Sequence, residues 1–440
     1  MKKTAAYLIV AALFGTSAVY AQDQTYDTRS LALGGTGVAI SNTRNAAFLN
    51  PAALAEQQDR FAWELPIISA RLVDEKNLQS DVDSLKTTAN GLTAALTNFR
   101  NAQATLQANP TVANVTAAQA SATAAGTALN KFNSSISVVG GKALTGGALA
   151  GTMLAIPSKR FAFALTLDAR VELGAQFNYA AADQATVLNL STALTACGAA
   201  STATAATVCQ AAASGVGTNG TISGLQSQLV ARGVVAKDLG ITMAHRFDSL
   251  ANTDIGITPK FTQLRTYDVV SSAQSGNGIT SSSASSENTR SIFNFDIGVA
   301  KSLAKSGDAD VKAGLVVKDV LSHTVKTVLN NDITIKPRAT AGVGYTSKLL
   351  SYGMDLDLLS NKPMITGFGS QSQFLRLGAE FDAWRWAQVR VGYRHDMKGN
   401  YKNLPSVGLG FSPFGLHMDV SYAAAGQTEK AASVQLGLNF

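Results

Sequence analysis

Charge is scarce in this chain: Asp, Glu, Lys and Arg make up 15% of its 440 residues, against about a quarter in an ordinary soluble domain. Cysteine is scarcer still, with two residues, and prolines number nine. Two cysteines exclude a disulfide scaffold. Beyond the N-terminus no stretch approaches the roughly eighteen uninterrupted apolar residues of a membrane helix, so helical spans are excluded too. No dense Lys/Arg run accompanies the formal charge of +7, and nucleic-acid binding is therefore not indicated. What the chain does have is 46% hydrophobic residues and 38 glycines, too apolar for a disordered chain.

Residues 1–21 carry Lys2-Lys3, an apolar run around 7–14 and the small-residue site Val19-Tyr20-Ala21. This is the layout of a bacterial secretory signal peptide. Its removal takes away two lysines and no acid, lowering the formal charge from +7 to +5. An exported chain without helical spans is periplasmic, secreted or an outer-membrane barrel, and alternation decides among them.

From 161 to 179 every odd position is apolar, from Phe161, Phe163, Leu165 and Leu167 to Phe177 and Tyr179, while Thr166, Asp168, Arg170, Glu172 and Gln176 occupy even ones. Period two puts the two sets on opposite faces of one strand, longer than the five or six residues usual in globular sheets. Similar segments cover 61–73, 146–157, 230–247, 254–270, 292–303, 311–320, 333–345, 349–359, 374–383, 386–397, 404–412, 416–423 and 433–440. The total is about 14 strands, the even number that single-chain bacterial barrels require. Connections alternate between long and short, as in outer-membrane barrels with long extracellular loops and short periplasmic turns. The long ones are 74–145, 181–229, 271–290, 321–332, 360–372, 398–403 and 424–431. The final strand ends on Phe440, and resembles the C-terminal signal read by the outer-membrane insertion machinery.

Residues 29–55 read RSLALGGTGVAISNTRNAAFLNPAALA. Gly34, Gly35 and Gly37 lack the strand-turn-helix context of a phosphate-binding loop. Followed by Asn50-Pro51-Ala52, they resemble the N-terminal hatch of FadL-type outer-membrane proteins. The likeness is nearest to the conjugal-transfer TraF branch that is not thioredoxin-like, whose C-terminal half reads much like 374–422, QFLRLGAEFDAWRWAQVRVGYRHD and LPSVGLGFSPFGLHMDVSYA here. The resemblance implies a hatch over 22–58 that plugs the lumen of a barrel over 59–440, with Gly34, Gly35, Gly37, Asn50, Pro51 and Ala52 as hatch and gating residues.

Within the first long loop Leu85, Leu92, Leu96 and Phe99 share one helical face, with further apolar residues at 78, 82 and 106, and Asn109-Pro110 breaks the helix. A helical insertion over 74–133 is expected, either a hairpin packed on itself or an apolar lid that collects hydrophobic ligand. Cys197 and Cys209 lie in the second loop, 181–229, of an exported chain, which favours a loop-closing disulfide. Asp168, Arg170, Glu172, Arg376, Glu380, Arg390 and Arg394 fall on polar strand phases and are expected in the lumen, because lipid-facing charge is costly. There they pair with one another, anchor the plug or line a path. Trp384, Arg385 and Trp386 sit at an expected inner turn, where aromatics form a girdle.

The four histidines are scattered, with His417 near Asp419 on a polar phase and His395-Asp396 adjacent on a strand, hence on opposite faces. No nucleophile elbow or His/Glu metal pair is present, so no enzyme, metal or cofactor is expected. The sequence reading is an all-β, antiparallel outer-membrane barrel with helical extracellular insertions in a bacterial outer membrane. Its expected function is a plugged channel for passive passage of a hydrophobic small molecule. The alternative is a conjugal-transfer accessory or structural protein without transport. Outer-membrane lipid, the insertion machinery, a hydrophobic ligand and a conjugation or secretion partner are the partners these readings imply; nucleic acid is not.

Overall fold

The computed structural model describes residues 27–55, 61–74, 76–158, 161–217, 219–250, 252–272, 287–383 and 386–439. The signal-peptide region 1–21, the hatch ends 22–26 and 56–58, Trp384, Arg385 and Phe440 lie outside the described residues. The chain begins with helices α1 (Thr28–Ala32) and α2 (Ala46–Leu49) and a 3-10 turn over Pro51–Leu54. Then come β1 (Ala62–Val73), the long helices α3 (Leu78–Ala108) and α4 (Val112–Val139), β2 (Ala143–Ile156), β3 (Ala162–Asn178), α5 (Ala181–Gly198) and α6 (Ala205–Ser214). Next are β4 (Gln228–Phe247), β5 (Thr253–Ser272), β6 (Glu287–Ser306), β7 (Ala309–Lys318), β8 (His323–Lys326) and β9 (Asp332–Ile335). The chain continues with β10 (Arg338–Thr346), β11 (Leu350–Asp357), β12 (Phe374–Ala383), β13 (Ala387–Asp396), β14 (Leu404–Phe411), β15 (Leu416–Ala425) and β16 (Glu429–Asn439).

Fourteen of these strands form one closed antiparallel barrel, in which each wall strand pairs with the next and β16 closes on β1. β8 and β9 form a separate hairpin, and β7 pairs directly with β10. The stretch 333–345, expected as one strand, is therefore two. Pro337 has no N–H for a ladder and restricts Lys336 before it, so the wall strand begins only at Arg338.

Burial is inverted relative to a soluble protein. On β3, Phe163, Leu165 and Leu167 are 40–48% exposed, while Arg170 and Glu172 are 9% and 5% exposed. Register continues this outer face across the wall, with Leu167 beside Leu239, Phe261 and Phe293 in turn. So broad an apolar belt is stable only against lipid, and this is an outer-membrane barrel.

The wall is uneven in height: β4, β5 and β6 have 20 residues each, whereas β11 and β14 have 8. The helices leave from the tall side. α3 is started by the Asp74 carboxylate, which accepts from the N–H groups of Leu78 and Gln79 at 2.5 and 2.8 Å, and α4 by Thr111, whose hydroxyl accepts from Asn114 N–H at 3.2 Å. Helices α3 to α6 form a cap with its own core, joined by the Cys197–Cys209 disulfide between α5 and α6. Leu78, Val82, Ile136 and Val139 pack the base of the cap onto Leu144 and Phe177 of the wall.

Candidate functional site

The lumen is built in three layers. In the innermost, the hatch lies against the wall with almost no side chain between them. Gly344, Gly353, Gly378 and Gly392 stand directly opposite one another on β10 to β13. Ile40 covers the first two, Leu33 and Thr36 the third, and the Gly34 backbone the fourth. Gly256 and Gly298, paired on β5 and β6, receive Pro51, Ala52 and the Asn50 side chain in the same way. A Cβ at these positions would collide with the hatch, which explains the glycines here. Gly34 has φ +69 and its own Cβ would lie 2.5 Å from Tyr393 N, so both conformation and space require glycine.

Hydrogen bonds fasten this seam. Arg29 binds Glu380 at 2.8 and 3.0 Å, and Gly37 and Val38 N–H donate to Asp355 at 2.8 and 3.0 Å. The buried Asn50 amide donates to Val38 O and Val299 O at 2.9 and 3.2 Å, and its oxygen accepts from Ala52 N–H at 3.2 Å. Pro51, at the first position of its 3-10 turn, supplies no N–H. Gly35 (φ +95) turns the chain after α1, and Gly37 leaves room for Leu49. Asp27 caps α1 and is held by Ser30 and Asn45 at 3.1 Å each. Its burial pushes the carboxyl above its ordinary value, against those hydrogen bonds. Toward β1 to β4 the hatch instead meets small apolar residues, with Ala46, Ala47, Ala53 and Leu54 against Ala62, Met153, Ala155, Ala164 and Ala244.

The middle layer is charged. Arg170 pairs with Asp168 at 3.6 Å and with Asp238, and Lys260 sits between Asp296 and Asp319 at 2.7 and 2.6 Å. Glu172 is buried nearby. Around the wall, Arg376 binds Asp357 at 2.6 Å, Arg390 binds Glu380 and Asp419 at 2.6 Å each, and Arg394 binds Glu429 at 2.5 Å. Six of the seven expected luminal residues stand in these ion pairs, spread round the wall, and the seventh, Glu172, is buried near Arg170. Sequence reading missed Asp238, Lys260, Asp296 and Asp357, although each lies on a buried strand phase; the alternation that marked β3 marks them equally. His417 donates to or accepts from Glu64 at 2.6 Å, while Asp419 is turned to Arg390, and His395 pairs with Asn403 at 2.7 Å. These are separate contacts and form no dyad.

The outer layer is largely apolar, which no period-two reading indicated. Here Val230, Val234, Ala236 and Leu264 on the luminal phase of β4 and β5 form a cluster beside the Arg232–Asp268 pair. The β8–β9 hairpin, through Val325, Ile333 and Ile335, and the loop 358–373, through Met364, Ile365 and Phe368, fold inward over them. Beside this chamber the β6–β7 ladder stops at Ile297, and among the described residues no strand pairs with the outer half of that β6 edge. The edge is closed by residues 320–326 instead. Val320 N–H donates to Phe295 O at 3.1 Å, the Asn294 amide both donates to and accepts from the Leu321 backbone at 2.9 Å, and His323 contacts Phe293 O at 2.9 Å.

The expected lid face is not available to a ligand. Leu92, Leu96 and Phe99 are buried in the cap core against α4 to α6, and Leu85 packs at its base. An amphipathic stripe is satisfied equally by helices or by ligand, and here helices take it. Trp386 is half-exposed and meets Phe411 edge-on at 5.3 Å, at the inner rim. Outside the glycine row lies a lipid-facing depression of about 680 Å³ lined by residues including Val343, Tyr345, Tyr352, Met354 and Leu377. It leads nowhere, because the pairing of β10 to β13 behind it is unbroken.

Residues 47–357, well over half of the chain, match the family model described as F plasmid transfer operon, TraF, protein. The chain belongs to this TraF family. The matched TraF region contains Asn50-Pro51-Ala52 and ends before 374–422. Among solved structures it is similar to the Ralstonia pickettii toluene transporter TbuX (11% identity, 94% of this chain and 97% of that chain, TM-score 0.48). It is also similar to the P. putida toluene transporter TodX (8%, 94% and 97%, 0.42) and to a Pseudomonas aeruginosa FadL homologue (11%, 97% and 99%, 0.40). No protein of curated function matches it in sequence.

Proposed function

We propose that this barrel passively admits a small hydrophobic molecule through its outer wall, not along its axis. The observation that carries the reading is the position of the apolar chamber, directly behind the outer β6 edge, which pairs with no strand among the described residues. An axial route would drive apolar surface through the ion pairs of the middle layer, and a buried pair that loses a partner costs about 3–5 kcal/mol. It would then meet a hatch pressed onto glycine backbone. The lateral route parts a few hydrogen bonds of about 0.5–1.5 kcal/mol each and leaves the ion pairs of the middle layer intact. Gating accordingly belongs to the 320–326 seam, and Gly34, Gly35, Gly37, Asn50, Pro51 and Ala52 serve as a fixed seal.

The test is uptake of a hydrophobic fluorescent dye by cells carrying the protein with Asn294→Cys and Leu321→Cys. Wild type should accelerate uptake; oxidation of the pair should stop it and reduction restore it. Failure of wild type to accelerate uptake overturns the reading. A second reading, a structural part of a conjugation apparatus, is supported by the TraF family match and by the disulfide-joined cap, a surface held clear of the membrane. It expects deletion of the protein to abolish mating-pair formation and leave dye uptake unchanged.

A further inference from the structure

Within the apolar chamber one side chain occupies a place unlike the others. Phe368 is 3% exposed and its side chain packs on bare backbone at Gly174, so closely that a Cβ there would collide with it. The ring is carried on a Gly367-Phe368-Gly369 turn with φ +90 and +80 at the two glycines, a conformation open to glycine and costly for other residues. The Arg232 guanidinium carbon stands 5.4 Å from the ring centroid, within cation–π range. Arg232 is itself aimed by Asp268 at 3.3 Å and donates to Thr366 O at 3.1 Å, so the residue that faces the ring also ties down the turn bearing it. Val230 and Val234 belong to the same cluster.

The geometry points to a ligand site for a neutral aromatic ring at this position, with Phe368 as its resident occupant and the loop 358–373 as the part that withdraws. The inference rests on the lateral-passage reading and names the ligand class. A slot with a glycine floor, branched aliphatic walls and a held cation over the ring face selects flat aromatic rings over saturated ones of like size. Aliphatic packing alone would not discriminate. The ligand takes up the contacts that Phe368 gives up, including the Arg232 face, while the turn keeps its glycines as hinges.

Naphthalene and its saturated counterpart decalin are suitable probes for the full chain in detergent. Naphthalene fluorescence should show saturable binding to wild type, with decalin a competitor at least 10-fold weaker. Phe368→Ala should tighten naphthalene binding about 10-fold by removing the occupant. Arg232→Gln should weaken naphthalene but not decalin, and Val234→Phe should abolish both. Bound naphthalene should also speed maleimide labelling of an Ile365→Cys variant, a position buried in the loop at rest, a readout that cavity filling without loop withdrawal does not move. Naphthalene binding that is absent in both wild type and Phe368→Ala, or indifferent to Arg232→Gln and Val234→Phe, overturns the site. If dye uptake persists in that case the passage reading stands alone; if naphthalene binds as expected without any uptake, the passage reading falls and the site stands.

Discussion

The hatch seam of the inner lumen and the β6 seam of the outer lumen close the same barrel by opposite means. The first puts backbone against backbone over paired glycines and locks it with charged hydrogen bonds such as Arg29 to Glu380. The second covers an apolar chamber with a loop held mainly by one asparagine and a few single bonds. A contact that loses van der Waals fit or leaves a charge unpaired is expensive to open, whereas apolar surface can pass from loop to ligand at little net cost. The difference teaches where motion belongs: the seal is inside, the movable part outside.

The comparison breaks most severely if the glycine seat is filled. Gly392→Leu places a side chain where the Gly34 backbone lies and should cost more than about 4 kcal/mol, seen as hatch release and new conductance in planar bilayers. Arg390→Met leaves Glu380 and Asp419 buried without their shared partner; a loss of about 3–5 kcal/mol is expected, measured by the heat-modified gel shift of the barrel. Cys197→Ser should cost the cap about 3 kcal/mol, appearing as faster proteolysis of 181–214 with the barrel shift unchanged. Asn294→Ala removes both side-chain bonds to Leu321 and should weaken the outer seam by about 1–3 kcal/mol, raising dye uptake while the hatch and the heat-modified gel shift stay as in wild type. The smallest effect sharpens the inner side. Because burial holds Asp27 above its ordinary 3.8, hatch stability is full below that value and falls as pH rises through the raised one. Asp27→Asn keeps the cap and should flatten that fall in a pH series of proteolysis.

The strand plan was legible because lipid outside and charge inside impose period two on each crossing, as Phe163 to Arg170 illustrate. Boundaries failed where a local rule overrode the pattern, as at Pro337, or where β16 starts at Glu429 and leaves a turn much shorter than 424–431 suggested. The hatch glycines were visible as a cluster, yet their partners Gly344, Gly353, Gly378 and Gly392 look unremarkable until register sets them in one row. Leu92, Leu96 and Phe99 declared an apolar face without declaring what covers it. The apolar outer chamber was invisible for the same reason: Val230, Val234 and Leu264 read as ordinary strand residues, and only the inward fold of 358–373 makes them a site.

The sequence alone determined that this chain crosses a membrane with strands, that charge points inward and that an N-terminal segment precedes the wall, because each follows from period or composition within a single stretch. Tertiary structure decided which surfaces are used up and which remain. Pairing register, the short β7 ladder and the fold of a distant loop are contacts between residues far apart in the chain, and no local pattern encodes the distance between Phe368 and Gly174.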